Sequence, residues 1–291
     1  DVALLLAMAH VIVREGLTDQ EFIADRCADY EAFETHLKEF DPAWASEICE
    51  VPASDIEQAA LWYGAAKLGA IYYTLGITEH ICGVDNVQSL CNLALLTGNL
   101  GKVGTGINPM RGQNNIQGAG DCGAVPNNYP GFQPVISEEA HEKFRTAYQQ
   151  PDLDLGNSMT KVTALNLCGL EKDGIHAMLI DGENTVVTDP DKNHCEKALK
   201  SLDHLVVIDI FLTETAQMAD IVFPASAWGE TDGVQANTER RVQRLRAAVP
   251  SYGDSKPDWW IISEIAKRLG TPGFEYESAK ANLVNFGASS L

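Results

Sequence analysis

Two short runs of almost wholly apolar residues, 175–180 and 205–208, flank a helix-like stretch at 192–201. A third apolar run, 221–223, follows a short helical pattern at 213–218. Strands covered by helices on both faces read as continuous apolar runs, whereas half-exposed antiparallel strands alternate. Strand, helix and strand in this order describe a parallel sheet with helical crossovers. Upstream, helix patterns at 2–15, 19–27, 30–39, 42–49 and 54–67 precede a β-rich run at 70–74 and a helix at 87–97. Thr18 and Ser54 are the expected N-caps, Ser54 with Glu57 three residues on as a capping box. The fold class is therefore α/β: two lobes with largely parallel sheets flanked by helices, plus a partial α+β segment at the C-terminus. That last segment has short β-like pieces carrying Arg240, Arg241, Arg244 and Arg246. A helix at 259–269 follows, led by Pro257 and Asp258 and stopped at Gly270.

Residues 86–120 contain no Asp or Glu, in a chain with 41 acidic residues among 291. Residues 98–123 hold eight of the 24 glycines. Glycine admits φ > 0 and close approach of backbone to a ligand, and clearing carboxylates removes Coulomb repulsion against an anion. The polar side chains of the stretch include the amides and arginine Asn108, Arg111, Gln113, Asn114, Asn115 and Gln117. A loop of this composition suits a large, polar, anionic ligand; the alternative is a long irregular surface loop.

Composition narrows the function classes. A net charge of −20 argues against nucleic acid or an anionic membrane, which require a basic face. No apolar run reaches the ~18 residues of a membrane span. The seven cysteines (27, 49, 82, 91, 122, 168 and 195) are scattered and never spaced C-x-x-C. This excludes an iron–sulfur cluster or zinc ribbon built by these cysteines alone and suits reduced structural thiols in a reducing compartment. Cys122, beside the glycine-rich stretch, is the one to watch.

The stretch 97–131, TGNLGKVGTGINPMRGQNNIQGAGDCGAVPNNYPG, resembles the central segment of molybdenum- or tungsten-dependent formate dehydrogenase alpha subunits. These belong to the bis-molybdopterin guanine dinucleotide oxidoreductases. YTLGITEH (73–80), DGENTVVTDP (181–190), VVIDIFLTETAQMADIVFPASAWGE (206–230), NTERRVQR (237–244) and KPDWWIISEIAKRLG (256–270) follow the family's order. The resemblance implies a bis-molybdopterin guanine dinucleotide with molybdenum or tungsten, and formate as substrate. It further implies electron-transfer iron–sulfur or diaphorase subunits as partners, with no nucleic acid and no direct membrane insertion. The chain is expected to be an internal fragment. The iron–sulfur domain with its 4Fe-4S cluster, the segment with the metal-ligating Cys or selenocysteine and its adjacent His, and a C-terminal β-barrel domain would lie outside it. Alone it is expected to be inactive. A cytoplasmic location is expected, or a periplasmic one if an export signal lies upstream. The expected domains are a pterin-binding lobe at 1–113, a dinucleotide-binding lobe at 114–225, and a segment at 226–291 packing on the iron–sulfur domain. The alternatives are another molybdopterin oxidoreductase, such as a nitrate reductase-like enzyme, or an inactive pterin-binding or assembly module.

In open α/β sheets, ligands bind off the carboxyl ends of the strands. Those ends are residues 76–79, residues 181–184, and Asp209. A carboxylate at 209 can accept the N1–H and N2 amino group of guanine together; its alternative is a helix cap or strand-end turn. The resemblance adds Gly182, Asn184, Thr188 and Asp209 as cofactor contacts, together with Leu75, Gly76, Thr78, Glu79, Gly112, Gln113, Glu183 and Thr213. The family usually has glutamine at the position of Glu79 and often proline at Thr185. Arg111 is the catalytic candidate: its planar fork can hold both oxygens of formate, and a surface ion pair is the alternative. His80 is expected to be a hydrogen-bonded structural residue. The arginines of 240–246 form either a solvated strand or one facing the iron–sulfur domain.

Overall fold

The computed structural model describes residues 1–153, 156 and 159–281. Residues Asp1–Asn114 form one compact unit and those from Asn115 onward a second.

The first unit is organised by α1 (Val2–Arg14), a helix apolar on every side, which buries Ala3, Leu5, Ala7, Ala9, Val11 and Ile12. A helix with no polar face is stable only at the centre of a core. Around it stand α2 (Gln20–Arg26), α3 (Tyr30–Leu37), α4 (Pro42–Cys49) and α5 (Ala53–Ala65). Ala3 and Ala7 meet Ala45 and Ile56, while Leu5, Ala9 and Ile12 cluster with Ala60, Leu90, Leu93 and Leu96. Each such buried Leu or Ile contributes about 2 kcal/mol. The one polar group of α1 that faces inward is satisfied: His10 Nδ1 lies 2.8 Å from the Leu37 carbonyl.

Both expected N-caps are displaced. Asp19, not Thr18, caps α2 by accepting from the Phe22 N–H at 3.0 Å. At α5 the cap position is Pro52, whose ring presets the turn, so the helix starts at Ala53 without a side-chain cap. Ser54 is thereby already helical and donates to Asp55 Oδ1.

After α5 come β1 (Ala70–Tyr73), α6 (Leu75–Thr78), α7 (Gly83–Leu96) and β2 (Gly106–Pro109). Strand β2 corrects the reading of 98–123 as loop throughout. It pairs in parallel with β1, from Ala70 opposite Gly106 to Tyr73 opposite Pro109. Asn108, expected to be a ligand group, donates instead to the Ile71 and Gly106 carbonyls at 3.2 Å each. At the end of α7, Gly98 has φ +60°, and a Cβ there would run into the Asp19 carboxylate.

The second unit opens with α8 (Ile116–Asp121), the short antiparallel pair β3 (Asn128–Tyr129) and β4 (Gln133–Pro134), α9 (Glu138–Ala147) and α10 (Lys161–Leu167). Its centre is a parallel sheet of β5 (Ala177–Asp181), β6 (His204–Asp209) and β7 (Ile221–Pro224), side by side in chain order. Helices α11 (Thr185–Thr188) and α12 (Lys192–Lys200) form the first crossover. Between β6 and β7 the expected helix 213–218 is only a 3₁₀ turn, Ala216–Met218. The core joins Leu165, Ile180, Val186, Leu199, Leu205 and Val207 with Cys168 and Cys195. All seven cysteines are free. The antiparallel hairpin of β8 (Gly233–Ala236) and β9 (Val242–Leu245) follows, then α13 (Asp258–Arg268). Arg240, Arg241, Arg244 and Arg246 are exposed along that hairpin. No described helix is long and apolar enough to cross a membrane.

Candidate cofactor sites at the strand ends

In the first unit the site candidates gather where β1 and β2 end together. Tyr73 and Pro109 are opposite each other, and the Met110 N–H donates to the Tyr73 carbonyl at 2.7 Å. One strand then passes into α6, carrying Leu75, Gly76 and Thr78, with Glu79 at its C-cap. The other passes to Arg111, Gly112 and Gln113. Leu75 is 54% exposed, and neither Gly76 nor Gly112 has an atom near the place a Cβ would occupy. Arg111, Gln113 and Asn114 are exposed, and Arg111 has no ion pair among the described residues. Asn115 and Gln117, by contrast, are engaged: Asn115 Oδ1 accepts from the Ala236 N–H at 3.0 Å and Gln117 donates to Asp121 at 2.9 Å. Of Asn108, Arg111, Gln113, Asn114, Asn115 and Gln117, the ones left open among the described residues are therefore Arg111, Gln113 and Asn114. His80 is hydrogen-bonded to the Gly76 carbonyl at 2.8 Å.

In the second unit the carboxyl ends of β5 and β6 carry the other candidates. Gly182 turns the chain with φ +67°, open space where a Cβ would stand, and its N–H donates to the Ile208 carbonyl at 2.8 Å. Asn184 is fully engaged within the protein. Its Nδ2 donates to Glu214 at 2.8 Å, and its Oδ1 accepts from the Thr215 N–H at 3.2 Å and hydroxyl at 2.9 Å. The Thr215 hydroxyl in turn accepts from the Val186 N–H. Asn184 thus staples the β5 turn to the 3₁₀ turn after β6. Thr213 accepts from the Ala216 N–H at 3.2 Å, and the Thr188 hydroxyl donates to Glu183 at 3.2 Å. Thr185 is the first residue of α11, a position that proline also tolerates because its missing N–H has no helical partner. Replacing Asn184 by alanine is expected to strand the buried Thr215 groups and cost on the order of 1–3 kcal/mol, read as a lowered Tm; an unchanged Tm would contradict the staple.

Asp209 Oδ1 accepts from the Ile210 N–H at 2.7 Å and more weakly from that of Phe211 at 3.4 Å. Its second oxygen has no hydrogen bond among the described residues. Two further carboxylates share this edge. Burial, and then the charge of Asp209, raise the pKa of Asp181. Although Asp258 keeps solvent contact, burial by its surroundings, with Asp181 and Asp209 adding repulsion, pushes its pKa up to about 6. Sequence reading treated Asp258 only as a helix leader; its position at the opening of a helix that follows the sheet was the available signal.

Cys122 is exposed, and burial together with the Asp121 charge raises its thiol pKa, the opposite of an activated nucleophile. No group of three or more His, Cys, Asp or Glu among the described residues could hold a metal ion. A groove of about 540 Å³ beside α2 and α3 is lined by Gln20, Ile23, Cys27, Asp29, Tyr30 and Glu31. It contains none of the strand-end residues and no cation to receive an anion, so the strand ends are the better candidates.

The family model for molybdopterin oxidoreductases matches residues 1–268. The chain belongs to that family. Among its relatives, this molybdopterin oxidoreductase is 45% identical over 96% of its length to the F420-dependent formate dehydrogenase 2 subunit alpha of Methanococcus maripaludis, covering 41% of it. It is 48% identical over 93% of its length to the F420-dependent formate dehydrogenase subunit alpha of Methanocaldococcus jannaschii, covering 39%. Formate dehydrogenase H of Escherichia coli is 42% identical over 94% of the chain, of which 38% is covered. The chain thus spans about two fifths of the length of these relatives. The structure of acetylene hydratase from Pelobacter acetylenicus superposes on the whole chain with a TM-score of 0.74 at 20% identity, covering 42% of that protein, a likeness of fold.

The residues present fit a molybdopterin. Its heterocycles are rich in N–H groups, and the second unit offers Asp181, Asp209 and Asp258 as acceptors. Close approach of the cofactor requires open backbone, which Gly76 and Gly112 offer in the first unit and Gly182 in the second.

Proposed function

We propose that the chain is the central cofactor-binding portion of a molybdenum- or tungsten-containing formate dehydrogenase catalytic subunit. The cofactor would be the bis-molybdopterin guanine dinucleotide form, with a 4Fe-4S cluster elsewhere in the subunit and iron–sulfur or diaphorase subunits taking the electrons. The reaction is formate to carbon dioxide, releasing one proton and two electrons. When bound, the metal–pterin group supplies the two-electron redox chemistry. The chain's own residues bind and orient. Arg111 carries the reading: it is an exposed guanidinium with no ion pair among the described residues, at the end of a parallel strand pair, in a stretch cleared of carboxylates. Its two parallel N–H donors match the two oxygens of formate and leave the C–H bond as the free end. Holding the anion this way is catalysis by positioning. Asp209 is the proposed acceptor for a guanine edge. Gly182, Glu183 and Thr188 line the same turn, Asn184 and Thr213 hold it in shape, and Leu75, Gly76, Thr78, Glu79, Gly112 and Gln113 face the pterin side. Three domains, 1–113, 114–225 and 226–291, with the last packing on the iron–sulfur domain, complete the proposal.

The full-length subunit is expected to reduce a viologen dye with formate and to carry molybdenum or tungsten near one atom per chain. Oxidation of pre-reduced viologen by nitrate, with no dye reduction by formate, would overturn the assignment.

A further inference from the structure

The turn that receives the proposed dinucleotide is acidic: Asp181 and Glu183 flank Gly182, and Asp189 closes the following helix. Left alone, these carboxylates would repel a diphosphate. Lys161, the first residue of α10, reaches across to this turn. Its Nζ lies 2.5 Å from Glu183 Oε1 and 2.5 Å from Asp189 Oδ1, and the Asp189 side chain is only 8% exposed. The same Glu183 oxygen accepts from Thr188, so one cation joins both ends of the turn through α11. Partial burial would lower the Lys161 pKa, but the hydrogen bonds to Asp189 and Glu183 outweigh it and leave the pKa raised, keeping the ammonium charged.

We propose that Lys161 is a positioning residue that pins and neutralises Glu183 and Asp189, so that the Gly182 turn can hold the diphosphate of a purine dinucleotide. This rests on the cofactor reading above. Lys161 acts through Glu183 and need not touch the ligand.

The test uses the full-length subunit with Lys161→Met, Lys161→Arg and the double variant Lys161→Met/Glu183→Gln. Guanine nucleotide released on denaturation is quantified, and inorganic pyrophosphate binding to cofactor-free protein is measured by calorimetry. Lys161→Met is expected to lower both by about tenfold, the scale of one uncompensated charge near a surface. Lys161→Arg, which keeps the charge and both reach distances, should retain them. The double variant should recover part of the loss, Asp189 keeping its charge, which a merely structural role for Lys161 would not produce. Wild-type-like pyrophosphate binding in Lys161→Met, or no recovery in the double variant, overturns the proposal. If wild-type protein released no guanine nucleotide yet bound pyrophosphate in a Lys161-dependent way, the dinucleotide reading would fall while the tether stood.

Discussion

Replacing Arg111 by lysine in the full-length subunit is expected to lower kcat for formate about a hundredfold, with metal and pterin retained. The scale follows from misplacing a reacting group by ~1 Å. Lysine keeps the charge but substitutes a mobile point donor for a planar fork. If Arg111 served only to attract the anion, the lysine variant would raise KM and leave kcat nearly intact. The structure favours the orienting role, because the residue follows directly on Met110, whose N–H is fastened to the Tyr73 carbonyl at 2.7 Å. In a chain of net charge −20 few cations stand by to substitute for it. Near-wild-type kcat and KM in both Arg111→Lys and Arg111→Ala would remove Arg111 from the active site and take much of the formate assignment with it.

A second large effect is expected at Asp209. In Asp209→Ala, the loss of a two-pronged charged hydrogen bond should weaken guanine dinucleotide retention by about 2 kcal/mol, roughly thirtyfold. The alanine also removes the turn bonds to Ile210 and Phe211, so Asp209→Asn separates the two roles. Asparagine keeps an acceptor for the Ile210 N–H but turns an amide donor toward the guanine donors. A folded Asp209→Asn subunit that has lost its nucleotide supports the contact. Undiminished nucleotide content in both variants would leave Asp209 as a turn residue only.

The physical origin of each element decides how far it could be read in advance. Strands β5 and β6 were visible because their residues are almost all apolar, with Ile180, Leu205, Val207 and Ile208 buried. Strand β2 was not. Its four residues, Gly-Ile-Asn-Pro, have little strand propensity, and it is a strand because β1 lies beside it and Asn108 bridges the two; such context overrides local preference. Helix α9 was hidden in a segment rich in Pro, Asn and Gln, although Ser137 caps it and Glu138 and Glu139 fill its first turn. At the site, the carboxylate-free stretch pointed to Arg111 directly. Which amides were ligand groups and which were fasteners could not be read, since Asn108, Asn115 and Asn184 find partners far along the chain. Lys161 escaped for the same reason: its two carboxylates lie more than a helix away in sequence.

The largely apolar character of α1 has a kinetic consequence. It packs against α4, α5 and α7, so its central amides are expected to exchange slowly, whereas the backbone just past Met110 is already outside the last strand hydrogen bond. A well-buried helix and an open segment thus sit in one small unit. A ligand that orders the Arg111 segment need therefore pay only the local entropy of a few residues, with the core beneath them unaffected.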